Sequence, residues 1–227
     1  MGKGKLKKWR ENAQLPNVHE PELQHAIDGQ EYMKGQWQSE VFGNENPITL
    51  ELGCGKGEYT VELAKRYPER NFIGVDIKGH RFWKGAKEST QMGLPNVAFL
   101  RTRIEFIVTF FAKDEVAEIW LTFSDPQPKD EKGTKRLTSP KFMDRYRKFL
   151  VPGGIVNVKT DSDLLFEYTV EALGAAGIEF DMLSRDVYGE LVNRVDDEMK
   201  DILNIRTYYE QIWMEKGEKI NFLKFRL

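Results

Sequence analysis

A glycine-rich turn is the first feature of the sequence that could do chemistry. The run E-L-G-C-G-K-G, Glu51–Gly57, follows a short apolar stretch and leads into a helical pattern. The glycines have no side chains, so a ligand could approach the backbone closely. Alternatively, the turn could need glycines only because its residues adopt positive φ angles. Asp76 ends the next strand about 20 residues later, where its carboxylate could accept both ribose hydroxyls of an adenosine. The glycine-rich turn and Asp76 together predict an adenosine-containing cofactor.

Two details favour S-adenosylmethionine over NAD as that cofactor. The glycine spacing is G-x-G-x-G, with Glu58 in the place of the third glycine of the dinucleotide pattern G-x-G-x-x-G. Glu51 ends the first strand, where a carboxylate could face a cationic amino-acid group but would repel a pyrophosphate. An NAD-dependent oxidoreductase on the same kind of sheet stays open as the alternative.

A second candidate site follows the apolar run Glu118–Phe123. The chain continues directly into D-P-Q-P-K, which places Asp125 at the edge of the sheet. The two prolines pre-set the backbone and reduce the entropy lost in holding Asp125 in place. A carboxylate there can accept hydrogen bonds from the N1–H and the exocyclic amine of guanine. A plain rigid turn is the structural alternative.

The positions of these residues depend on the elements that carry them. The sequence pattern alternates between short strand-like runs and helical stretches, which predicts βαβ units and a mainly parallel sheet. The predicted strands are Ile48–Leu52, Asn71–Val75, Val97–Arg101, Glu118–Phe123, Ile155–Lys159 and a closing strand Lys219–Leu227. The predicted helices lie near 57–67, 79–91, 104–112, 140–150, 162–176 and 198–215. Residues 46–227 are therefore expected to form one α/β domain. Residues 1–45, with little apolar periodicity, are expected to form an extended, partly flexible basic arm.

Composition and charge indicate a globular protein with local positive patches. Of 227 residues, 40% are hydrophobic and 31% charged, and the formal net charge is −2. Five of the first ten residues are basic and none is acidic. A second cluster beside the Asp125 loop is expected to bind phosphate: Lys129, Lys132, Lys135 and Arg136. The absence of a long apolar run and the single cysteine, Cys54, predict a cytoplasmic protein without a membrane span.

The motifs resemble those of the bacterial tRNA (guanine-N7)-methyltransferase family. They are, in order, E-L-G-C-G-K-G, F-S-D-P-Q-P-K with its continuation K-G-T-K-R-L-T-S-P-K-F, V-K-T-D at Val158–Asp161 and T-Y-Y-E at Thr207–Glu210. The resemblance covers about residues 48–227. It implies a Rossmann-like, S-adenosylmethionine-dependent methyltransferase domain with a mostly parallel sheet and an antiparallel C-terminal strand. It also implies tRNA as the partner, with a monomer or homodimer expected.

The family pattern also assigns roles to residues. It implies that Asp125 sits at the reaction centre and also contacts the cofactor, whose site is otherwise formed by Glu51, Gly53, Gly55, Asp76 and Arg103. It implies contacts with the RNA substrate for Lys129, Asp161, Thr207, Tyr208, Tyr209 and Glu210. Two positions depart from the pattern: Gln127 replaces the usual Trp, and Arg103 stands where many members carry an acid, with Glu105 a lower-ranked substitute.

The implied reaction needs no general base. Guanine N7 carries a lone pair and no proton, so alignment and exclusion of water are the main requirements. Asp125 is expected to position the base and stabilise the growing positive charge on the purine. By resemblance, the target is the guanosine of the tRNA variable loop. A non-catalytic RNA-binding module is a further alternative, and the spacing of His19, His25 and His80 predicts no metal site.

Overall fold

The computed structural model describes the backbone of residues 3–227 and the side chains of residues 4–129 and 133–227. Its strands are β1 (Val18–His19), β2 (Ile48–Leu52), β3 (Asn71–Asp76), β4 (Val97–Arg101), β5 (Val116–Thr122), β6 (Leu150–Thr160), β7 (Phe180–Ser184) and β8 (Asn221–Arg226). Its α-helices are α1 (Lys3–Asn12), α2 (Leu23–Ile27), α3 (Glu58–Arg66), α4 (Gly79–Gln91), α5 (Pro140–Tyr146), α6 (Asp163–Ala175), α7 (Asp197–Leu203) and α8 (Tyr208–Glu215). Short 3₁₀-helices span Ile104–Thr109, Asp130–Lys135 and Leu191–Asn193, and Trp37–Phe42 forms a π-helix.

The strands form one mixed sheet in the order β1-β4-β3-β2-β5-β6-β8-β7. Neighbouring strands are parallel from β1 to β6, whereas β8 runs antiparallel to both β6 and β7. The predicted α/β sheet with an antiparallel C-terminal strand is confirmed. The strand order reverses between β2 and β5, which is where open α/β sheets bind ligands.

Alternate residues of the strands build two cores, one on each face of the sheet. Leu50 and Ile119 contribute to the face covered by α5, α6 and the π-helix. Phe99 and Trp120 contribute to the face covered by α3, α4 and α7. Because both faces are covered, β2 and β3 are buried along their whole length, as expected of central parallel strands.

The N-terminal arm is not extended. Residues 1–45 contain α1, β1, α2 and the π-helix, and β1 adds a parallel edge strand beside β4. Trp37 is fully buried, and its indole N–H donates to the carbonyl of Phe110 at 2.7 Å. These elements are too short for apolar periodicity to reveal them. The division of the chain at residue 45 stays a prediction. Separately, no helix among the described residues is long and apolar enough to cross a bilayer.

The predicted helix 198–215 is wrong as a single element, because α7 and α8 are separate helices. Thr207 begins α8 as its N-cap: its hydroxyl accepts from the N–H of Glu210 at 3.2 Å, and the Glu210 carboxylate accepts from the N–H of Thr207 at 3.3 Å. The sequence contained this signal, since T-x-x-E is the pattern of a capping box. The predicted helix 104–112 forms a shorter 3₁₀-helix, Ile104–Thr109. Strand β7 was not predicted.

A buried ion pair holds α8 against β6. The Lys159 Nζ lies 2.7 Å from the Glu210 Oε1, and neither side chain has any exposed area. Nζ also donates to the carbonyls of Leu203 and Ile205 at 2.8 and 3.1 Å, and the hydroxyl of Tyr188 donates to Glu210 at 2.6 Å. Burial lowers the pKa of Lys159, and the charge of Glu210 opposes that shift. The two charges therefore stabilise each other inside the protein.

Removing one partner should cost far more than removing a surface charge. Glu210→Ala leaves Lys159 buried without its counter-charge, so we expect a loss of about 3–5 kcal/mol in the free energy of unfolding. Asp144→Ala breaks an exposed pair with Arg147 and should cost less than about 1 kcal/mol. Urea denaturation of both variants measures the contrast, and equal losses would show that the buried pair does not hold α8.

Candidate functional site

A cavity of about 920 Å³ opens at the carboxyl edge of the parallel strands. It is lined by one residue or more from the loop after each of five strands: Gly53 after β2, Asp76 at the end of β3, Arg103 after β4, Asp125 after β5 and Asp161 after β6. The loops that carry the candidate residues Gly53, Asp76 and Asp125 therefore converge on one cavity. The parallel strands position these residues, because their carboxyl ends share one edge of the sheet.

The three glycines of the first turn have different roles. Gly53, Gly55 and Gly57 all have positive φ angles, +83°, +56° and +74°. A Cβ atom on Gly57 would lie 2.5 Å from the ring of Phe99, so this glycine is required by packing. A Cβ atom on Gly53 or Gly55 would meet no atom within 4 Å. The first two glycines thus leave open space beside the backbone, which a ligand could fill.

Asp76 fixes the glycine turn while facing the cavity. Its Oδ2 accepts from the N–H of Gly55 at 3.1 Å, and its Oδ1 accepts from the N–H of Lys78 at 2.7 Å. The residue is 7% exposed and lines the cavity. A carboxylate oxygen can accept more than one hydrogen bond, so both oxygens keep capacity for ligand hydroxyls.

Glu51 lies beneath the site and is not among the residues that line the cavity. Its Oε2 accepts from the N–H of Thr60 at 2.9 Å and from the Thr60 hydroxyl, and its Oε1 accepts from the hydroxyl of Thr122 at 2.5 Å. Burial raises the pKa of Glu51 to about 7, against the effect of these hydrogen bonds. The carboxyl group therefore joins the ends of β2 and β5 to the first turn of α3.

The loop that carries Asp125 has a strained backbone. Phe123 and Gln127, on either side of Asp125, have φ angles of +51° and +46°. Such angles are uncommon for residues other than glycine and persist only where the surroundings impose them. The Asp125 Oδ1 accepts from the N–H of Gln127 at 3.0 Å, which closes a tight turn. This turn presents the exposed Asp125 carboxylate to the cavity.

Arg136 holds this loop, which corrects its predicted role as a phosphate ligand. The side chain is only 5% exposed. Its Nε donates to the carbonyl of Pro126 at 2.9 Å, and one Nη donates to the carbonyl of Gln127 at 3.0 Å. The guanidinium carbon lies 4.2 Å from the ring centre of Tyr168. Charge alone could not distinguish this buried clamp from its neighbours, and the side chain of Lys132 lies outside the described residues.

The predicted T-Y-Y-E contacts separate into three environments. Thr207 and Glu210 form the capping box of α8, and Glu210 is fully buried in its ion pair, so neither faces the cavity. Tyr208 lies on another groove, with the Nζ of Lys56 3.5 Å from its ring centre. Tyr209 is half exposed and lines the cavity. Of the four residues, Tyr209 alone reaches the candidate site.

The remaining predicted residues lie in or near the cavity. Arg103 lines it, and its guanidinium lies 3.4 Å from the Glu105 carboxylate in an exposed pair. Burial raises the pKa of Asp161, which also lines the cavity. Lys135 lines the cavity and is exposed, whereas the exposed Lys129 lies outside the lining.

Sequence reasoning missed the apolar part of the lining. Ile77, directly after Asp76, is 48% exposed and lines the cavity together with Phe142 and Trp213. Trp213 lies four residues after Tyr209 on α8, and this spacing places both aromatic side chains on one helix face. That spacing was a signal available in the sequence. The cavity thus combines charged groups with apolar side chains, as ligand sites commonly do.

Comparisons with known proteins agree with this geometry. The sequence model of a family described as a putative methyltransferase matches residues 45–223. A tRNA (guanine-N(7)-)-methyltransferase of Bacteroides thetaiotaomicron is 54% identical over 100% of this chain and 87% of its own. One from Christiangramia forsetii is 44% identical over 99% of this chain and 98% of its own. The 16S rRNA methyltransferase KamB has the same fold, with a TM-score of 0.64 at 14% identity over 87% of this chain and 95% of its own.

The raised pKa of Glu51 predicts a specific pH dependence of stability. As pH rises from about 4.5 to about 7, the unfolded chain loses this proton before the folded chain does, so the contribution of Glu51 to stability falls. Glu51→Gln stays neutral and keeps similar hydrogen bonds. Between pH 4.5 and pH 8 we expect wild type to lose about 3 kcal/mol relative to this variant.

Urea denaturation of both proteins across this pH range measures the difference in free energy of unfolding. Other titrating groups are common to both proteins and cancel in the comparison. Parallel stability curves would show that the Glu51 proton is not bound more tightly in the folded state.

Proposed function

This chain belongs to the tRNA (guanine-N(7)-)-methyltransferase family, and on that premise we propose that it transfers a methyl group from S-adenosylmethionine to N7 of a guanosine in the tRNA variable loop. The observation that carries the proposal is the convergence of Asp76 and Asp125 on one cavity at the point where the strand order reverses. A cytoplasmic location, expected from the single cysteine, agrees with this substrate.

The residues present fit S-adenosylmethionine. Gly53 and Gly55 leave open space beside the turn, and Asp76 supplies carboxylate oxygens suited to ribose hydroxyls. Ile77 adds exposed apolar surface for a flat base, and the cavity volume is in the range of small-molecule sites. Glu51 acts through the turn and through Thr122, because its carboxyl group is enclosed below the lining.

When bound, S-adenosylmethionine supplies an electrophilic methyl group on a sulfonium centre. Asp125 binds the N1–H and the exocyclic amine of guanine, and this pattern of donors excludes adenine. N7 carries no proton, so no residue has to act as a base. The Asp125 carboxylate stabilises the positive charge that grows on the purine, and the strained turn holds it in place before the base arrives.

Several exposed groups around Asp125 are suited to the RNA. We assign Lys135 to nearby phosphates, Asp161 to hydrogen-bond donors of the substrate and Arg103 to the cofactor, since all three line the cavity. Tyr209 offers an aromatic face to an unstacked base, and Lys129 lies exposed outside the lining, where it can meet the RNA backbone. N7 is hard to reach in an A-form helix, so a loop nucleotide turned out of its stack is the substrate that this open cavity can admit.

The deciding experiment uses unmodified tRNA and isotope-labelled S-adenosylmethionine, followed by nucleoside mass spectrometry. We expect 7-methylguanosine from wild type and a loss of at least about 100-fold in turnover for Asp125→Ala, because the variant cannot position the base or stabilise its charge. Asp144→Ala, which removes an exposed aspartate from α5, is the matched control. Methylation of another ring atom, or normal turnover by Asp125→Ala, would contradict the proposal.

Arg136→Lys tests whether this residue holds the catalytic loop. Lysine keeps the charge but cannot reproduce the two donors in the guanidinium geometry, so we expect kcat to fall about 10-fold or more while the salt dependence of tRNA binding is retained. Lys135→Ala, at the exposed cavity wall, should instead raise KM for tRNA and weaken that salt dependence. If Arg136→Lys weakened the salt dependence as Lys135→Ala does, Arg136 would be a phosphate ligand.

A further inference from the structure

Helix α1 is fixed firmly on α4, although the sequence indicated a loose arm. The indole N–H of Trp83 donates to the Glu11 carboxylate at 2.8 Å. The amide of Asn12, a fully buried residue, donates to the carbonyl of Gly79 at 3.0 Å. The Nζ of Lys8 lies 4.8 Å from the ring centre of Trp83. The inner face of α1 is therefore anchored at the start of α4, and its orientation is set.

The outer face of α1 is exposed and basic. Lys5, Lys7 and Arg10 are exposed. The only acidic residue of the helix, Glu11, accepts hydrogen bonds from Trp83 and Lys87, and the Nζ of Lys7 lies 3.8 Å from its other carboxylate oxygen. Within the part of the chain that the structure describes, neither Lys5 nor Arg10 has a carboxylate within 4.0 Å. A helix of ten residues is about 15 Å long, which is enough to face several backbone phosphates.

The positive surface continues from α1 onto the start of α4. Lys78 and Arg81 are exposed there, on either side of His80. Burial lowers the pKa of His80, and positive charges from both segments lower it further: Lys5, Arg81, Lys8 and Lys78. Arg81 also lines the cavity that contains Asp125. The cations thus form a continuous track that ends at the candidate site.

We propose that Lys5, Lys7 and Arg10 of α1, together with Lys78 and Arg81, bind the phosphate backbone of the tRNA whose guanosine enters the cavity. This inference rests on the proposed function and adds a second contact region, on α1 and the start of α4, outside the Asp125 loop. A protein of net charge −2 that concentrates its cations in this way is suited to a local polyanion contact.

The chemistry of α1 favours RNA over a membrane surface. A helix that lies on a bilayer needs a broad exposed apolar face opposite its charges. On α1, Leu6 is the one large apolar residue exposed among those that the structure describes. The track also leads through Arg81 into the cavity, as expected for a partner that has one part inside the site and continues outside it.

The test measures tRNA affinity against salt concentration for three full-length proteins. They are wild type, the triple variant Lys5→Ala/Lys7→Ala/Arg10→Ala and a control triple variant on the far side of the sheet from β1, Arg185→Ala/Lys224→Ala/Arg226→Ala, with substitutions in β8 and directly after β7. Each phosphate contact contributes about 0.7–0.9 to the slope of log K against log salt. We expect the α1 variant to lose about 2–3 from that slope and about tenfold or more in affinity at low salt, and the control to match wild type.

Additional measurements separate the possible outcomes. Thermal unfolding and S-adenosylhomocysteine binding should be the same for all three proteins, and a charge-reversed variant, Lys5→Glu/Lys7→Glu, should weaken tRNA binding further. If the salt slope of the α1 variant were unchanged, or if the control variant lost as much slope and affinity, these cations would not bind the tRNA backbone. The proposal would also be wrong if the α1 variant lost binding to anionic phospholipid vesicles but bound tRNA as wild type does. If wild type methylates no tRNA, the proposed function itself fails, which is a distinct result.

Discussion

A single buried carboxyl group organises the centre of the protein. Glu51 is the penultimate residue of β2, next to β5, where the strand order reverses, and its hydrogen bonds reach Thr60 of α3 and Thr122 of β5. Burying a carboxyl group is costly unless it is hydrogen-bonded or protonated, and here three bonds and a raised pKa both contribute. The glycine turn follows β2 and the Asp125 loop follows β5. The distance between the turn and the loop therefore depends on the hydrogen bonds by which Glu51 joins these two strands.

The Asp125 loop shows how strain is maintained at such a junction. Two residues with positive φ angles would relax in isolation, at a gain of about 1–3 kcal/mol each. Arg136 resists this because it binds the carbonyls of Pro126 and Gln127 from inside the protein. The loop is thus set before substrate binds, and less conformational entropy is lost when the base enters. Rigidity at Asp125 comes from a residue that does not itself face the cavity.

The sequence predicted the central strands and the candidate residues at their ends because buried parallel strands leave plain apolar runs that end in glycine or acid. It did not predict the N-terminal elements, since β1 has two residues and Trp37 is buried by long-range contacts that no local pattern reveals. Within the site, Asp76 and Asp125 were predicted from their position after a strand and Asp161 from the family resemblance, and all three line the cavity.

Charged residues within the motifs divide by burial into two groups that sequence patterns cannot separate. Glu51, Arg136 and Glu210 are buried and hold elements together, whereas Asp125 and Lys135 are exposed at the cavity. A side chain with no exposed area cannot meet a large RNA without local opening, and opening would leave its partner charge unpaired. The loss of activity on changing a motif residue is therefore not enough to show contact with substrate. A buried residue should reveal itself first through stability or loop order, and an exposed one through affinity and its dependence on salt.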